Sequence, residues 1–207
     1  EQRCMLMFGA TGDKAKTRFA YRRAAGIARA HKGFVVNPVI GKMWHKTRFT
    51  TPYLRNTLWD YGYALDTLES ALPWSKVDEA IQQAITCIQH ALDPFDERAH
   101  VFAHLSHMYT DGASFYITYL FRQARDPDDT LLPDETLRRW HAIKDAASQI
   151  IVANGGTISH QHGVGTDHAP YLPAEKGPLG MQTLQSIFEH FDPQGMMNRN
   201  KLIGGSR

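Results

Sequence analysis

Apolar and polar residues alternate along Val101-Phe102-Ala103-His104-Leu105-Ser106-His107-Met108-Tyr109 and again along Ser114-Phe115-Tyr116-Ile117-Thr118-Tyr119-Leu120-Phe121. A period of two sends successive side chains to opposite faces of a strand. The short link Thr110-Asp111-Gly112-Ala113 between the two runs therefore predicts an antiparallel hairpin. Tyr63 to Leu72 alternates in the same way and predicts a further strand. A helical period follows: Val77, Ile81, Ile85 and Ile88 fall on one stripe, which predicts a core-facing helix with Ser75 as N-cap and Asp78 and Glu79 near its positive end. Leu137, Trp140, Ile143, Ala147, Ile150 and Ile151 predict a second long helix, capped by Asp134 and closed by a left-handed Gly155 after Asn154.

The flanking segments read less regularly. Cys4 to Phe8 predicts a short buried strand closing in the turn Gly9 to Asp13, followed by a helix over Lys14–His31 capped by Asp13 or Thr11. Phe34 to Ile40 reads as a strand interrupted by Pro38, and Gly41 to Phe49 as irregular chain. Thr50-Thr51-Pro52 starts a helix that Gly62 stops. Arg125 to Pro133 reads as a disordered loop, Pro170 to Pro178 as a loop, and Leu179 to His190 as a closing helix. The sum is an α+β fold: an antiparallel sheet covered on one face by helices.

With 207 residues, of which 43% are hydrophobic and 21% charged, the chain can bury a sizeable core in one or two domains. A net charge of +2 without runs of like charge argues against a nucleic-acid partner. Cys4 and Cys87 follow no metal or redox spacing, which fits reduced thiols in a cytoplasmic protein. No stretch approaches the roughly 20 apolar residues of a membrane span. Glu1-Gln2-Arg3 runs straight into apolar chain, which reads as a cut inside a longer polypeptide.

The densest chemistry lies in Gly155-Gly156-Thr157-Ile158-Ser159-His160-Gln161-His162-Gly163-Val164-Gly165-Thr166-Asp167-His168. Glycine sacrifices backbone entropy, so this density marks a special conformation or a close approach. In an extended segment His160 and His162 share a face, a spacing that can chelate a metal with His104, His107 or His168 as third ligand. No carboxylate stands at ligand spacing and no zinc signature is present, so the histidines are expected to serve hydrogen bonding or catalysis, with no metal. Tyr116, at an inward-facing strand position, reads either as a proton carrier or as one more aromatic of the sheet core. Gly-x-Ser-x-Gly is absent, and Gly9-x-x-Gly12 lacks the remainder of a P-loop or dinucleotide fingerprint.

The segment Gly155 to Gly165 resembles the Gly-Gly-x-x-Ser-His-His-His-Gly-Val-Gly block of the alkyldihydroxyacetonephosphate synthase family, flavoproteins of the vanillyl-alcohol oxidase superfamily. Four further segments match in the family's order. Asp111-Gly112-Ala113-Ser114-Phe115-Tyr116 is similar to its Asp-x-Gly-Ala-Cys-Ile-Tyr strand with one residue missing, and Thr67 to Ser75 to its Phe-Glu-Thr-Ser-x-Pro-Trp-Ser segment. Tyr53-Leu54-Arg55-Asn56 is similar to its Tyr-Ile-Arg-Asp, and Asn198 to Leu202 to its Asn-Arg-Asn-Leu-Leu ending.

The resemblance implies the C-terminal, cap part of an FAD-linked oxidase. Residues 1–155 would be a substrate domain truncated at its N-terminal side, and 156–207 a flavin-facing segment with the C-terminal helix. FAD would be held mainly by an upstream domain absent here, so the fragment alone is expected to be inactive. By resemblance, Tyr116 is the proton carrier and His160 and His162 are active-site histidines, with Gln161 in place of the middle one. His162, Gly163, Gly165, Asn198 and Arg199 would face the flavin. The implied reaction exchanges the acyl group of acyl-dihydroxyacetone phosphate for a fatty alcohol. The competing reading is an FAD-dependent oxidoreductase of a small 2-hydroxy acid such as lactate or glycolate. Partners would be a small-molecule or lipid substrate, with peripheral membrane contact and a homodimer open to the full-length protein.

Overall fold

The alternating segments pair as their pattern predicts. A computed structural model describes residues 5–36, 39–199 and 201–203, and the chain divides into two units, Glu1–Leu54 and Arg55–Arg207. In the second unit, strands β1 (Tyr63–Pro73), β2 (His100–Met108) and β3 (Gly112–Arg122) form an antiparallel sheet in the order β1-β3-β2. The hairpin turn is tight enough that a Cβ at Gly112 would overlap the Leu72 carbonyl oxygen, so only glycine fits there.

One face of this sheet is the core. Ala64, Leu68 and Leu72 of β1 and Phe115, Ile117, Tyr119 and Phe121 of β3 pack with helices α4 (Trp74–His90) and α5 (Pro133–Ala153) in a single apolar cluster. Because strand side chains alternate, the intervening residues Thr67, Glu69, Ser114 and Tyr116 go to the other face, where Glu69 and His104 both lie in register with Tyr116. Tyr116 is therefore not a member of the helix-covered core, as an inward-facing position would have made it. Phe115 and Ile117 hold that place.

The free edge of β1 is covered by the chain leaving α5. Thr157 N donates to Ala71 O at 3.3 Å, His160 N donates to Glu69 O at 3.1 Å, and Ser70 Oγ donates to Thr157 O at 2.8 Å. Gly156 makes this possible, since a Cβ there would stand 2.9 Å from Ser70 Oγ.

Several boundaries move for tertiary reasons. α4 begins at Trp74 rather than after a Ser75 cap, because the Trp74 backbone N–H is satisfied by Asp111 O at 3.1 Å from the hairpin turn. The most buried residues of its stripe are Val77, Ala80, Ala84 and Ile88. α5 starts with Pro133 at its first position, so Asp134 lies in the first turn instead of capping it. The expected disordered loop before it is ordered: Asp126 Oδ1 accepts from the backbone N–H of Asp128 and of Thr130, and Arg125 bridges to Leu131. Helix α6 (Leu172–Phe191) starts well before Leu179 and is broken at Gly177, where φ is 66°. Its first turn is anchored by Glu175, which accepts from Ile158 N at 2.7 Å.

In the first unit, α1 (Lys14–Ala30) is capped by Asp13, whose side chain accepts from Ala15 N and Lys16 N. Lys32, at φ 63°, ends it. The expected strand and irregular stretch around residue 40 are instead helix α2 (Val39–Thr47); Pro38 lies outside the described residues. Met5 to Phe8 form no strand and are exposed, and among the described residues no strand pairs with them. Cys4 lies outside the described residues. Helix α3 (Leu54–Asp60) precedes β1, and Gly62 at φ 85° makes the turn between them. No helix among the described residues is long and apolar enough to cross a membrane.

Candidate functional site

The site sits on the sheet face that the helices leave free, and its centre is Glu69. This carboxylate is 5% exposed and occupies the middle of β1. Three histidines from two distant segments approach it. His160 Nδ1 lies 3.1 Å from Oε1, His162 Nε2 3.3 Å from Oε2, and His107 Nδ1 3.5 Å from Oε1. Ser106 Oγ donates to Oε1 at 2.6 Å and stands 2.7 Å from Ser114 Oγ. Ser106 reaches this position because the β2–β3 register slips between Leu105 and His107, a bulge that re-aims one side chain.

Burial alone pushes the Glu69 carboxyl upward. Hydrogen bonds from Ser106, His160 and Ser114, with the charge of His160, outweigh it and leave the group below the ordinary carboxylate range. Glu69 is thus an ionised acceptor, and the ring nitrogen of His160 that faces it must donate.

His160 and His162 both reach Glu69, but not from an extended segment. Gln161 adopts φ 60° and Gly163 φ 72°, so the chain bends sharply and delivers one ring to each carboxylate oxygen. Tyr116 stands beside them: its ring stacks on His104 with centroids 5.3 Å apart and meets His162 edge-on at 5.4 Å. Its hydroxyl donates to Thr67 Oγ1 at 2.9 Å. Tyr109 closes the other side, with its hydroxyl 2.8 Å from His160 Nε2.

The remaining expected residues lie elsewhere. His168 Nδ1 accepts from Gly165 N, with Asp167 Oδ1 3.3 Å away, and burial lowers its basicity. Arg199 bonds locally to Gly195 O and to Met196 Sδ, and Asn198 occupies a left-handed turn at φ 46° beside it. Glu69, Ser106 and Tyr109 are the site residues that the motif pattern did not single out. The readable signal for Glu69 was an acidic residue within an apolar alternation, and it had no visible partner because His160 is 91 positions away.

Two groups can be tested against this geometry. Glu69, His107 and His160 offer donor atoms within 4.8 Å of one another, a carboxylate-imidazole set of the kind that suits a divalent metal. For a flavin, at the exposed bend of Gly163 nothing lies within 4 Å of where a Cβ would project, which leaves open space beside His162.

Comparison with known proteins places this geometry in context. The family described as FAD linked oxidases, C-terminal domain, matches residues 1–202. Alkyldihydroxyacetonephosphate synthase of Dictyostelium discoideum is 27% identical over 201 residues, covering 97% of this chain and 31% of the relative. The protein of that name from Trypanosoma brucei brucei is 21% identical, covering 96% and 31%. A mitochondrial D-lactate dehydrogenase [cytochrome] of Arabidopsis thaliana is 28% identical, covering 96% and 32%. The chain thus spans about a third of the length of these relatives. A solved alkyldihydroxyacetonephosphate synthase shares the fold with a TM-score of 0.58 at 20% identity, over 91% of this chain and 30% of that one.

Proposed function

The chain belongs to the family of FAD linked oxidases, C-terminal domain, and from that premise we propose that it is the substrate-facing part of a flavoenzyme making alkyl-dihydroxyacetone phosphate. In this reading acyl-dihydroxyacetone phosphate loses its acyl group and gains a fatty alcohol. The observation that carries it is the convergence of His160 and His162 on one buried carboxylate, with the ring of Tyr116 against His162. When bound, FAD supplies the electrophile of the exchange.

The chain's own residues supply the rest. Removing a proton next to a carbonyl needs a positioned base, and Tyr116, whose hydroxyl bonds to Thr67 Oγ1 and whose ring lies against two imidazoles, is that group. The departing carboxylate needs hydrogen-bond donors, which His162 provides at the exposed rim. In the full-length enzyme FAD would be held at the backbone of Gly163 and Gly165 and by Asn198 and Arg199. The full-length protein would act on a lipid substrate at a membrane surface, in the cytoplasm, as a homodimer or alone.

The test is turnover of the full-length parent with acyl-dihydroxyacetone phosphate and a fatty alcohol. Tyr116→Phe should lower kcat by about 10²-fold or more; unchanged turnover would remove Tyr116 from the mechanism. A second reading, oxidation of a 2-hydroxy acid such as lactate, is favoured by the Glu69, His107 and His160 donor set and by the dehydrogenase relative. Turnover with lactate that a chelator abolishes would select it. For the isolated chain, tight stoichiometric FAD binding would show that it is more than an inactive module.

A further inference from the structure

We propose that Glu175 is a positioning residue for the site: the first turn of α6 sets its carboxylate against Thr157 and Ile158, and this strap fixes where His160 and His162 stand. Residues 156–165 belong to no helix or strand, so their backbone N–H groups have no periodic partners and each needs its own. Thr157 N and His160 N turn to β1, at Ala71 O and Glu69 O. Ile158 N turns to Glu175 instead, with Oε2 at 2.7 Å. The segment is thus tied to β1 on one side and to α6 on the other, just before its first histidine.

The carboxylate is well placed to hold that N–H. The Glu175 side chain is 18% exposed, and Lys176 Nζ stands 2.7 Å from Oε1. Thr157 Oγ1 lies 3.3 Å from both carboxylate oxygens and 3.1 Å from Ser159 O, and Ser159 Oγ donates to Gly163 O at 2.9 Å. These contacts run from Glu175 to the far end of the bend that Gln161 and Gly163 make. Burial pushes the Glu175 carboxyl upward; the bonds from Lys176 and Ile158 outweigh it and leave the group below the ordinary carboxylate range. A carboxylate accepting from backbone N–H makes a bond roughly twice as strong as a neutral pair.

The turn that carries Glu175 is itself anchored to α5. Leu172 is buried, the Tyr171 hydroxyl donates to Asp145, and Lys144 pairs with Asp167 at 3.4 Å. The break at Gly177 separates this turn from the remainder of α6, so α5 sets its orientation. Contacts therefore lead from α5 through Glu175 to the segment that bears both rings. Holding a reacting group in place acts on rate, since a misplacement of about 1 Å can cost about 10²-fold. The effect on turnover rests on the proposed acyl exchange; the hold on the segment does not.

The test is backbone hydrogen exchange in the full-length parent, read by mass spectrometry on a peptide spanning 156–163, with peptides of α4 and α5 as references. Glu175→Ala should speed exchange of that peptide about tenfold or more and leave the references unchanged. Glu175→Gln keeps an acceptor oxygen at the same reach and should stay near the parent. Glu175→Asp keeps the charge but is one methylene too short, and should behave as Glu175→Ala does; this pair decides the matter if Glu175→Ala does not fold. In turnover, Glu175→Asp should lower kcat about 10- to 10²-fold with little change in KM, while Glu175→Gln retains it. The opposite order, in which charge suffices without reach, overturns the strap. So does faster exchange of the reference peptides alongside the segment, which is general destabilisation. If exchange follows the expected order while the parent shows no acyl exchange, the strap stands and the proposed reaction has failed.

Discussion

Glu69 shows how a single side chain gets its chemistry from its neighbours. Removing a carboxylate from water opposes ionisation, yet the hydroxyl of Ser106 and the ring of His160 more than compensate. The folded carboxyl therefore ionises at lower pH than the unfolded one, whose ordinary value is 4.5. Across that window the folded state binds fewer protons, so this share of stability is complete above the unfolded value and is lost as pH falls toward the folded one. Urea unfolding at a series of acid pH values should show parent stability falling more steeply than that of Glu69→Gln. Parallel curves would mean that Glu69 is not held ionised by this network.

At the scale of elements, the α4–α5 pair against β3 carries the core, and helical period alone does not say which residues of a stripe are sealed. Ile88 is 0% exposed, whereas Leu137, on the sequence-read stripe of α5, is 51% exposed near the helix start. Ile88→Ala should lower unfolding free energy by about 2–5 kcal/mol through lost burial and the cavity left behind. Leu137→Ala should stay within about 0.5 kcal/mol. Denaturant titration of the two variants separates them, and similar losses would contradict the packing described for α5. The same scale explains the open face: helices cover the side of the sheet that holds Phe115 and Ile117, which leaves Tyr116 and Glu69 together on the other.

For the whole molecule, a net charge of +2 conceals a division. Residues 1–54 hold eleven Lys and Arg against two Asp and Glu, which leaves twelve against nineteen in the remainder. Two oppositely charged segments in one chain create local potentials that the net value hides. The chain should therefore be retained at low salt on both cation and anion exchangers near neutral pH. Charge reversal at exposed Arg22 and Arg23 of α1 should weaken only the cation-exchange retention. Retention on one resin alone would show that the charges act as a uniform sum.

What could be read from residues alone was whatever local periodicity encodes. The hairpin, β1, the two long helices and the glycine that ends α5 all follow from spacings of two or 3.6 and from cap chemistry. Motif order also identified the family, because five segments in register are a pattern along one chain. Elements that depend on distant partners were not readable in this way. Met5 to Phe8 had the composition of a strand and no strand among the described residues to pair with, and α4 needed no serine cap once Asp111 supplied an acceptor. The site divides along the same line. His160, His162 and Tyr116 were visible as residues, but the buried carboxylate that joins the two histidines comes from β1, where only folding brings it to them. Tertiary structure decided Glu69, the Ser106 bulge and the place of Tyr109, because hydrogen bonds that span most of a chain leave no period in its sequence.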